Sequence, residues 1–353
     1  MIHNSAFAAV LVQTGEPLHL MELEIPELKP GQVLVKIAYS GICHTQILEM
    51  EGKKGIDKYL PHTLGHEGSG IVVKTGFGVE KVKTGDHVVL SWIKGSGADI
   101  PSTVYQRGHE KINSGAISTF MDYAIISENR VTPIKKEMPL KEAALLGCAI
   151  PTGAGIVFNS TGLRPGESIA IFGVGGIGAS AVMAADVIAA GKIIAIDIFD
   201  HKLEHARSLG ATHTINTRKQ DCLSEINSIT GGIGVDYAIE SAGRRETMEM
   251  AFRAVRDQGG LCVLAGNLPQ GEQISIDPFD LIKGKRITGT WGGESKPDRD
   301  IPLYVDLYMK GRLKLGNLIT HCYSLNEINT ATDDLKTGKV GRALVDFQIE
   351  HGD

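Results

Sequence analysis

The stretch SIAIFGVGGIGASAVMAADVIAAGKIIAID, residues 168–197, decides the fold. A short apolar run enters Gly173, Gly175 and Gly178, a helix-forming segment follows, and a second apolar run ends in Asp197. That order predicts a dinucleotide-binding βαβ unit. Gly173 permits the tight turn, Gly175 lets the backbone approach a pyrophosphate, and Gly178 lets the helix pack closely on the strand, so that the helix N-terminus faces the phosphates. Gly176 and Ile177, between the last two glycines, count among the coenzyme-binding residues. Asp197 lies nineteen positions after Gly178, where a carboxylate accepts both ribose hydroxyls of an adenosine. A 2′-phosphate there meets an uncompensated negative charge, so NAD is expected in preference to NADP. The later GGIG at Gly231–Gly234 precedes the apolar run Asp236–Glu240 instead of following one, and reads as a turn.

Outward from this unit, strand and helix patterns alternate from about Pro151. They run through Ile169–Phe172, the helix after Gly178, Ile193–Ile196, the helical run His201–Leu209, and strands near Asp236–Glu240 and Leu261–Ala265. This alternation predicts an α/β fold with a doubly wound parallel sheet over residues 151–290. Residues 1–150 read as mostly β, with strands at Val33–Ala38 and Gly70–Val73 punctuated by Pro30-Gly31, Gly76, Gly78 and Gly85-Asp86, a spacing that suggests a barrel-like domain. The glycine-rich segment Lys94–Gly115 reads as a surface loop. Residues 291–353 hold helical stretches and a last strand, Ala343–Phe347, expected to close back on the first domain.

A chain of 353 residues suits two such domains. A net charge of -5 with scattered lysines and arginines argues against nucleic acid and acidic membrane surfaces as partners. The run Ala6–Val12, followed by Thr14 and Gly15, reads as a strand and turn, not a secretion signal. No stretch approaches the roughly 18 continuous apolar residues that span a bilayer. A cytoplasmic protein acting on small molecules is the expectation. Five cysteines at irregular spacing argue against a disulfide framework and leave metal binding or buried thiols.

Three candidate ligands stand out in the first domain: Cys43 in SGICHTQ, His66 in LGHEGSG and Cys148 in LLGCAIPTG. Two thiolates and an imidazole suit Zn²⁺, and three protein ligands leave the fourth tetrahedral position open. On spacing alone, an ordinary buried thiol accounts equally well for either cysteine. Cys222, Cys262 and Cys322 read as core or surface thiols; His321 and Cys322 point to opposite faces if they lie on a strand. His62 and His109 read as solvated or hydrogen-bonded histidines. Trp291 either lines a substrate cleft or simply packs.

The segments SGICHT, LGHEGSGIV, GDHV, LLGCAIPTG and GVGGIG, in this order and at this spacing, resemble those of the zinc-dependent medium-chain alcohol dehydrogenases over nearly the whole chain. The Cys₂His ligand set is itself the known alcohol dehydrogenase arrangement, so the zinc assignment draws on that precedent. The resemblance implies a GroES-like catalytic domain (1–150 and 291–353), a Rossmann NAD domain (151–290) and an active site in the cleft between them. It implies Cys43, His66 and Cys148 as ligands of one catalytic zinc, and Glu67 as a nearby acid that supports the site or exchanges with the bound water. Thr45 falls where the family places a hydroxyl beside the reacting oxygen, the start of a proton relay; a capping or strand threonine is the plain alternative.

By the same resemblance His44 lies near the coenzyme pyrophosphate, Thr152 contacts the nicotinamide, and Arg342 in GKVGRALV reaches the pyrophosphate, unless it is a solvated surface arginine. Lys202 touches the adenosine ribose or is an exposed first-turn lysine. Two departures stand out. Residues 94–115 lack the four cysteines that hold a structural zinc in many members, so one zinc per chain and a rebuilt lobe are expected. Leu48 stands where some relatives carry a relay histidine, so the relay ends elsewhere. The wording CHT and LGHEG is closest to the glutathione-dependent formaldehyde branch, but Lys53 and Lys54 occupy the region where that branch carries acids, and its substrate is not assigned. The implied activity is reversible NAD-linked oxidation of a primary or secondary alcohol, in a homodimer or homotetramer paired through Arg286–Thr290. A zinc-free quinone or enoyl reductase of the same superfamily, or a non-catalytic dinucleotide-binding protein, are the other readings.

Overall fold

Nearly continuous apolar runs in the first part of the chain, such as VLVKIA within Gln32–Gly41, form strands buried on both faces, with Lys36 the one exposed side chain of that strand. The computed structural model describes residues 4–348. These divide into two compact units: the chain up to Cys148 with Lys296–Lys310 and the chain from Ile319 on, and Ala149–Ser295 with Gly311–Leu318. The stretch from 291 on was expected wholly with the first domain, but residues 291–295 and 311–318 cluster with the second unit. Within that unit Ser295 Oγ donates to the Pro151 carbonyl at 2.7 Å, and the three-residue turn Gly292–Glu294 packs on the helix Ala149–Gly155.

The first unit holds a five-stranded closed barrel, Ser5–Leu11, His19–Glu24, Val104–Arg107, Glu110–Ser114 and His62–Thr63. A larger sheet runs in the order Val131–Pro133, His87–Ser91, Glu67–Thr75, Gln32–Gly41, Arg342–Asp346 and Ile319–Tyr323, with Tyr123–Ser127 also paired to Gln32–Gly41. The strand Arg342–Asp346 therefore joins the sheet of the first 150 residues, next to Gln32–Gly41.

The segment Lys94–Gly115 is not a simple surface loop. Its second half is the hairpin Val104–Arg107/Glu110–Ser114, part of the barrel, because Tyr105 and Ile112 alternate inward and are fully buried. Its first half is held by carboxylates. Glu128 accepts the N–H groups of Glu80, Lys81 and Ala98 at 2.7–2.9 Å. Asp298 accepts the Ser96 N–H at 2.6 Å and pairs with Lys81.

The second unit is built on a six-stranded parallel sheet in the order His213–Asn216, Lys192–Asp197, Ser168–Phe172, Tyr237–Glu240, Leu261–Leu264 and Arg286–Gly289. This is the doubly wound order, with the first strand central and the chain reversing direction across the sheet between Ser168–Phe172 and Tyr237–Glu240. Ile169–Phe172 and Ile193–Ile196 are all buried, as strands covered on both faces must be. The strand His213–Asn216, short and half polar, has no clear period in the sequence. The helix expected after Gly178 starts at Gly176, so Gly178 lies inside its first turn. Among the described residues no single helix is long and apolar enough to cross a membrane.

Candidate metal centre and coenzyme site

Three separate pieces of chain deliver the candidate ligands of the first unit. Cys43 is the N-cap of the helix His44–Met50, with extended backbone, and its N–H donates to Gln46 Oε1 at 2.7 Å. Gln46 thus closes a capping box in which cysteine takes the place usually held by serine or threonine. His66 follows the strand His62–Thr63 and directly precedes Glu67–Thr75, while Cys148 ends the 3₁₀ turn Ala144–Gly147.

The donor atoms of Cys43, His66 and Cys148 all lie within 4.8 Å of one another. His66 Nε2 is buried with no hydrogen-bond partner among the described residues. A buried ring nitrogen without a partner is costly unless something else binds it, and beside two thiols a zinc ion answers that need. The Cys43 thiol is held well below its ordinary value, chiefly by a hydrogen bond from Cys148, with His66 and the Arg342 guanidinium adding to the effect against the opposing pull of burial. These residues fit the metal. In contrast, burial pushes the thiols of Cys222 and Cys262 up to about 12, and both are inert core groups.

Around this cluster the expectations for individual residues divide. Thr45 is half-buried in the first turn of the helix, two residues past the cap Cys43, and is neither a cap nor a strand residue. His44 is exposed. Glu67 is fully buried and its carboxylate is paired with Arg342. The solvated-surface alternative for Arg342 is overturned: it is 6% exposed, and its Nη1 donates to the Ile42 carbonyl at 3.0 Å while Nη2 meets Glu67. Pairing of its strand with Gln32–Gly41 turns the guanidinium inward. His62, read as solvated or hydrogen-bonded, is buried and bound to Asp57. His109 and Trp291 are exposed, and His321 and Cys322 do lie on a strand.

In the second unit the glycine turn has the expected geometry. Gly173 has φ +88°, and a Cβ there would lie 2.8 Å from the side chain of Ala242. A Cβ on Gly178 would lie 1.9 Å from the Gly173 carbonyl, so only glycine lets the helix meet the strand end. At Gly175 an added Cβ meets nothing within 4 Å, which leaves backbone N–H groups open at the start of a twelve-residue helix containing Gly176 and Ile177. This is the cradle a pyrophosphate needs.

Asp197 ends its strand beside this turn: Oδ2 accepts the Val174 N–H at 2.8 Å, and Oδ1 accepts those of Ile198 and Phe199 at 2.7 and 3.1 Å. Lys202 lies over the Phe199 ring, 5.2 Å from its centroid, and Arg218 is 5.1 Å from the same ring. Thr152 is buried, and its Oγ1 has no partner among the described residues, an unmet hydroxyl suited to a carboxamide.

Two residues of these sites escaped sequence reasoning. Gln46 was legible as the third residue after a cap, had Cys43 been considered as one. Glu240, at the end of Tyr237–Glu240 and fully buried, accepts the N–H groups of Ala242 and Gly243 at 2.9 and 2.8 Å and the Thr247 hydroxyl at 2.7 Å. It fixes the turn against which Gly173 packs, and nothing in the apolar pattern marks it.

Residues 29–136 match the family model described as an alcohol dehydrogenase GroES-like domain, and residues 176–309 that of a zinc-binding dehydrogenase. The chain is 34% identical over 366 residues to an S-(hydroxymethyl)glutathione dehydrogenase of Synechocystis sp., covering 96% of this chain and 99% of that protein. Among solved structures, an alcohol dehydrogenase zinc-binding domain protein from Burkholderia ambifaria superposes with a TM-score of 0.90 at 34% identity, covering 97% of this chain and 98% of that one. The benzyl alcohol dehydrogenase of Acinetobacter calcoaceticus gives 0.89 at 32%, covering 97% and 99%. With a Rossmann sheet, a GroES-like barrel, converging zinc donors and relatives of this kind along almost its entire length, the chain belongs to the zinc-dependent medium-chain alcohol dehydrogenase family.

Proposed function

We propose that the protein oxidises a primary or secondary alcohol to an aldehyde or ketone, reversibly, with NAD and one catalytic zinc per chain. The convergence of Cys43, His66 and Cys148 carries this reading. A zinc-free reductase has no use for three such donors, and a protein that only binds dinucleotide has none either. Zinc supplies a Lewis acid that lowers the pKa of an alcohol hydroxyl, and NAD supplies the acceptor for its hydride. Cys43, His66 and Cys148 hold the metal and leave one position for substrate. Thr45, two residues after Cys43, takes the hydroxyl proton and passes it outward, a path that does not use Leu48. Glu67 and Arg342 position this cluster, so Arg342 is assigned to Glu67 and not to the pyrophosphate.

The turn Gly173–Gly178 binds the pyrophosphate, Thr152 the nicotinamide, and Asp197 the adenosine ribose, with Lys202 beside it. Asp197 accepts three backbone N–H groups, and its negative charge disfavours a 2′-phosphate, which supports NAD. Domain roles follow the two units: Ala149–Ser295 with Gly311–Leu318 as the coenzyme domain and the remainder as the catalytic domain. Five free thiols support a cytoplasmic location. The exposed strand Arg286–Gly289, at the edge of its sheet, supports pairing with a second copy of the chain.

Absorbance of NADH tests the activity, with zinc-loaded protein and an alcohol panel that includes benzyl alcohol and S-(hydroxymethyl)glutathione, alongside metal analysis. Turnover is expected with wild type and lost in Cys43→Ala, which still binds NADH. Undiminished turnover in that variant, or none with any alcohol in fully loaded wild type, overturns the proposal.

A further inference from the structure

A second set of donors converges in the first unit, made of different residues. One ligand atom from each of Glu49, Asp57 and His62 lies within 4.8 Å of the others. Glu49 lies in the last turn of the helix whose cap is Cys43, and His62 opens the short strand that leads to His66. Asp57 lies on the loop between them, with Oδ1 fixed by the Tyr59 N–H at 2.9 Å and Oδ2 turned to His62.

The imidazole of His62 has an acceptor at each ring nitrogen. It is 4% exposed, and both ring nitrogens face acceptors: Nδ1 is 3.1 Å from the Thr63 carbonyl and Nε2 is 2.8 Å from Asp57 Oδ2. A neutral imidazole carries a single N–H, and a backbone carbonyl can only accept. With the proton on Nδ1, the usual arrangement for a metal-binding histidine anchored by a carbonyl, the Nε2 lone pair points at a carboxylate and needs a cation between them. A proton alone would satisfy the pair with Asp57. It would not account for a second carboxylate, Glu49, at the same point. Among the described residues, the cation paired with Glu49 is Lys54, whose half-exposed side chain sits 3.4 Å from Glu49 Oε2, a loose contact on a flexible stem.

We propose that Glu49, Asp57 and His62 form a second divalent-cation site, of the Zn²⁺ and Co²⁺ class. One imidazole and two carboxylates are a borderline donor set that suits these ions better than Ca²⁺ or Mg²⁺, which favour all-oxygen shells. Zn–N and Zn–O distances of about 2.0–2.2 Å place tetrahedral donors about 3.3 Å apart, so small side-chain movements close the shell. Because the site joins the end of the helix that starts at Cys43 to the strand that precedes His66, an ion there braces both segments that carry catalytic-zinc donors.

The test is calorimetric titration of protein whose Cys43, His66 and Cys148 centre is already zinc-loaded, with added Zn²⁺, and a parallel Co²⁺ titration read by visible absorption. One further equivalent is expected. Glu49→Gln and His62→Gln should weaken it by about tenfold or more, and Lys54→Met, which removes the competing ammonium, should tighten it. Glu49 is partly exposed at a helix end, so its variant decides the matter alone if His62→Gln fails to fold. Absence of a further equivalent up to millimolar Zn²⁺, or an affinity unchanged in Glu49→Gln, overturns the proposal.

Discussion

The guanidinium of Arg342 is bound to the carboxylate of Glu67 inside the first unit, one residue along the chain from His66. Both side chains are almost fully removed from water. Taking away one partner strands the other charge, which costs about 3–5 kcal/mol, whereas replacing both with apolar groups of similar size is close to neutral. Arg342→Met should therefore lower the urea midpoint of the first unit sharply, and Glu67→Leu/Arg342→Met should recover most of the loss. Equal midpoints for wild type and Arg342→Met would show that the pair contributes nothing.

Thr45 sits in the first helical turn beside the cap Cys43. A positioned proton acceptor is worth about 10²–10⁴-fold in rate. Thr45→Ala should reduce kcat by that order while zinc content and NADH affinity stay at wild-type level, and Thr45→Ser should restore most of the rate. Steady-state kinetics beside metal analysis separate this from loss of the metal.

Asp197 presents its carboxylate at the end of Lys192–Asp197, next to the glycine turn. Hydrogen bonds to a charged group contribute about 1.5–3 kcal/mol, or roughly 10–100-fold in affinity. Asp197→Ala should raise KM for NAD by that factor and improve the use of NADP relative to NAD. Comparing kcat/KM for the two coenzymes checks it; an unchanged ratio would remove Asp197 as the selector.

Burial raises the pKa of Glu240 above its ordinary value of 4.5, although Thr247 and the Gly243 and Ala242 N–H groups pull it back. The folded state thus holds this proton more tightly than the unfolded chain does. Stability of the coenzyme unit should fall as pH rises from 4.5 to the raised folded value, and fall no further beyond it. Thermal midpoints across pH for wild type and Glu240→Gln measure this, and the Gln variant should lack that component of the decline.

Local chemistry made the coenzyme half of this protein readable. A turn with positive φ, a helix that must touch a strand and a carboxylate at a strand end each demand particular residue types at short range, and Gly173, Gly178 and Asp197 meet those demands within a single βαβ unit. The zinc donors were legible as candidates only, because Cys43, His66 and Cys148 come from three distant segments, and their meeting depends on strand pairing that spans the first unit. The inward turn of Arg342 depends on its strand joining Gln32–Gly41, some 300 residues earlier in the chain. Carboxylate clamps at Glu128 and Asp298, which hold the segment that lacks cysteines, and the meeting of Glu49, Asp57 and His62 were likewise settled by tertiary packing. Periodicity records which face of an element is apolar; it carries no information about which polar groups from remote elements share the same buried point.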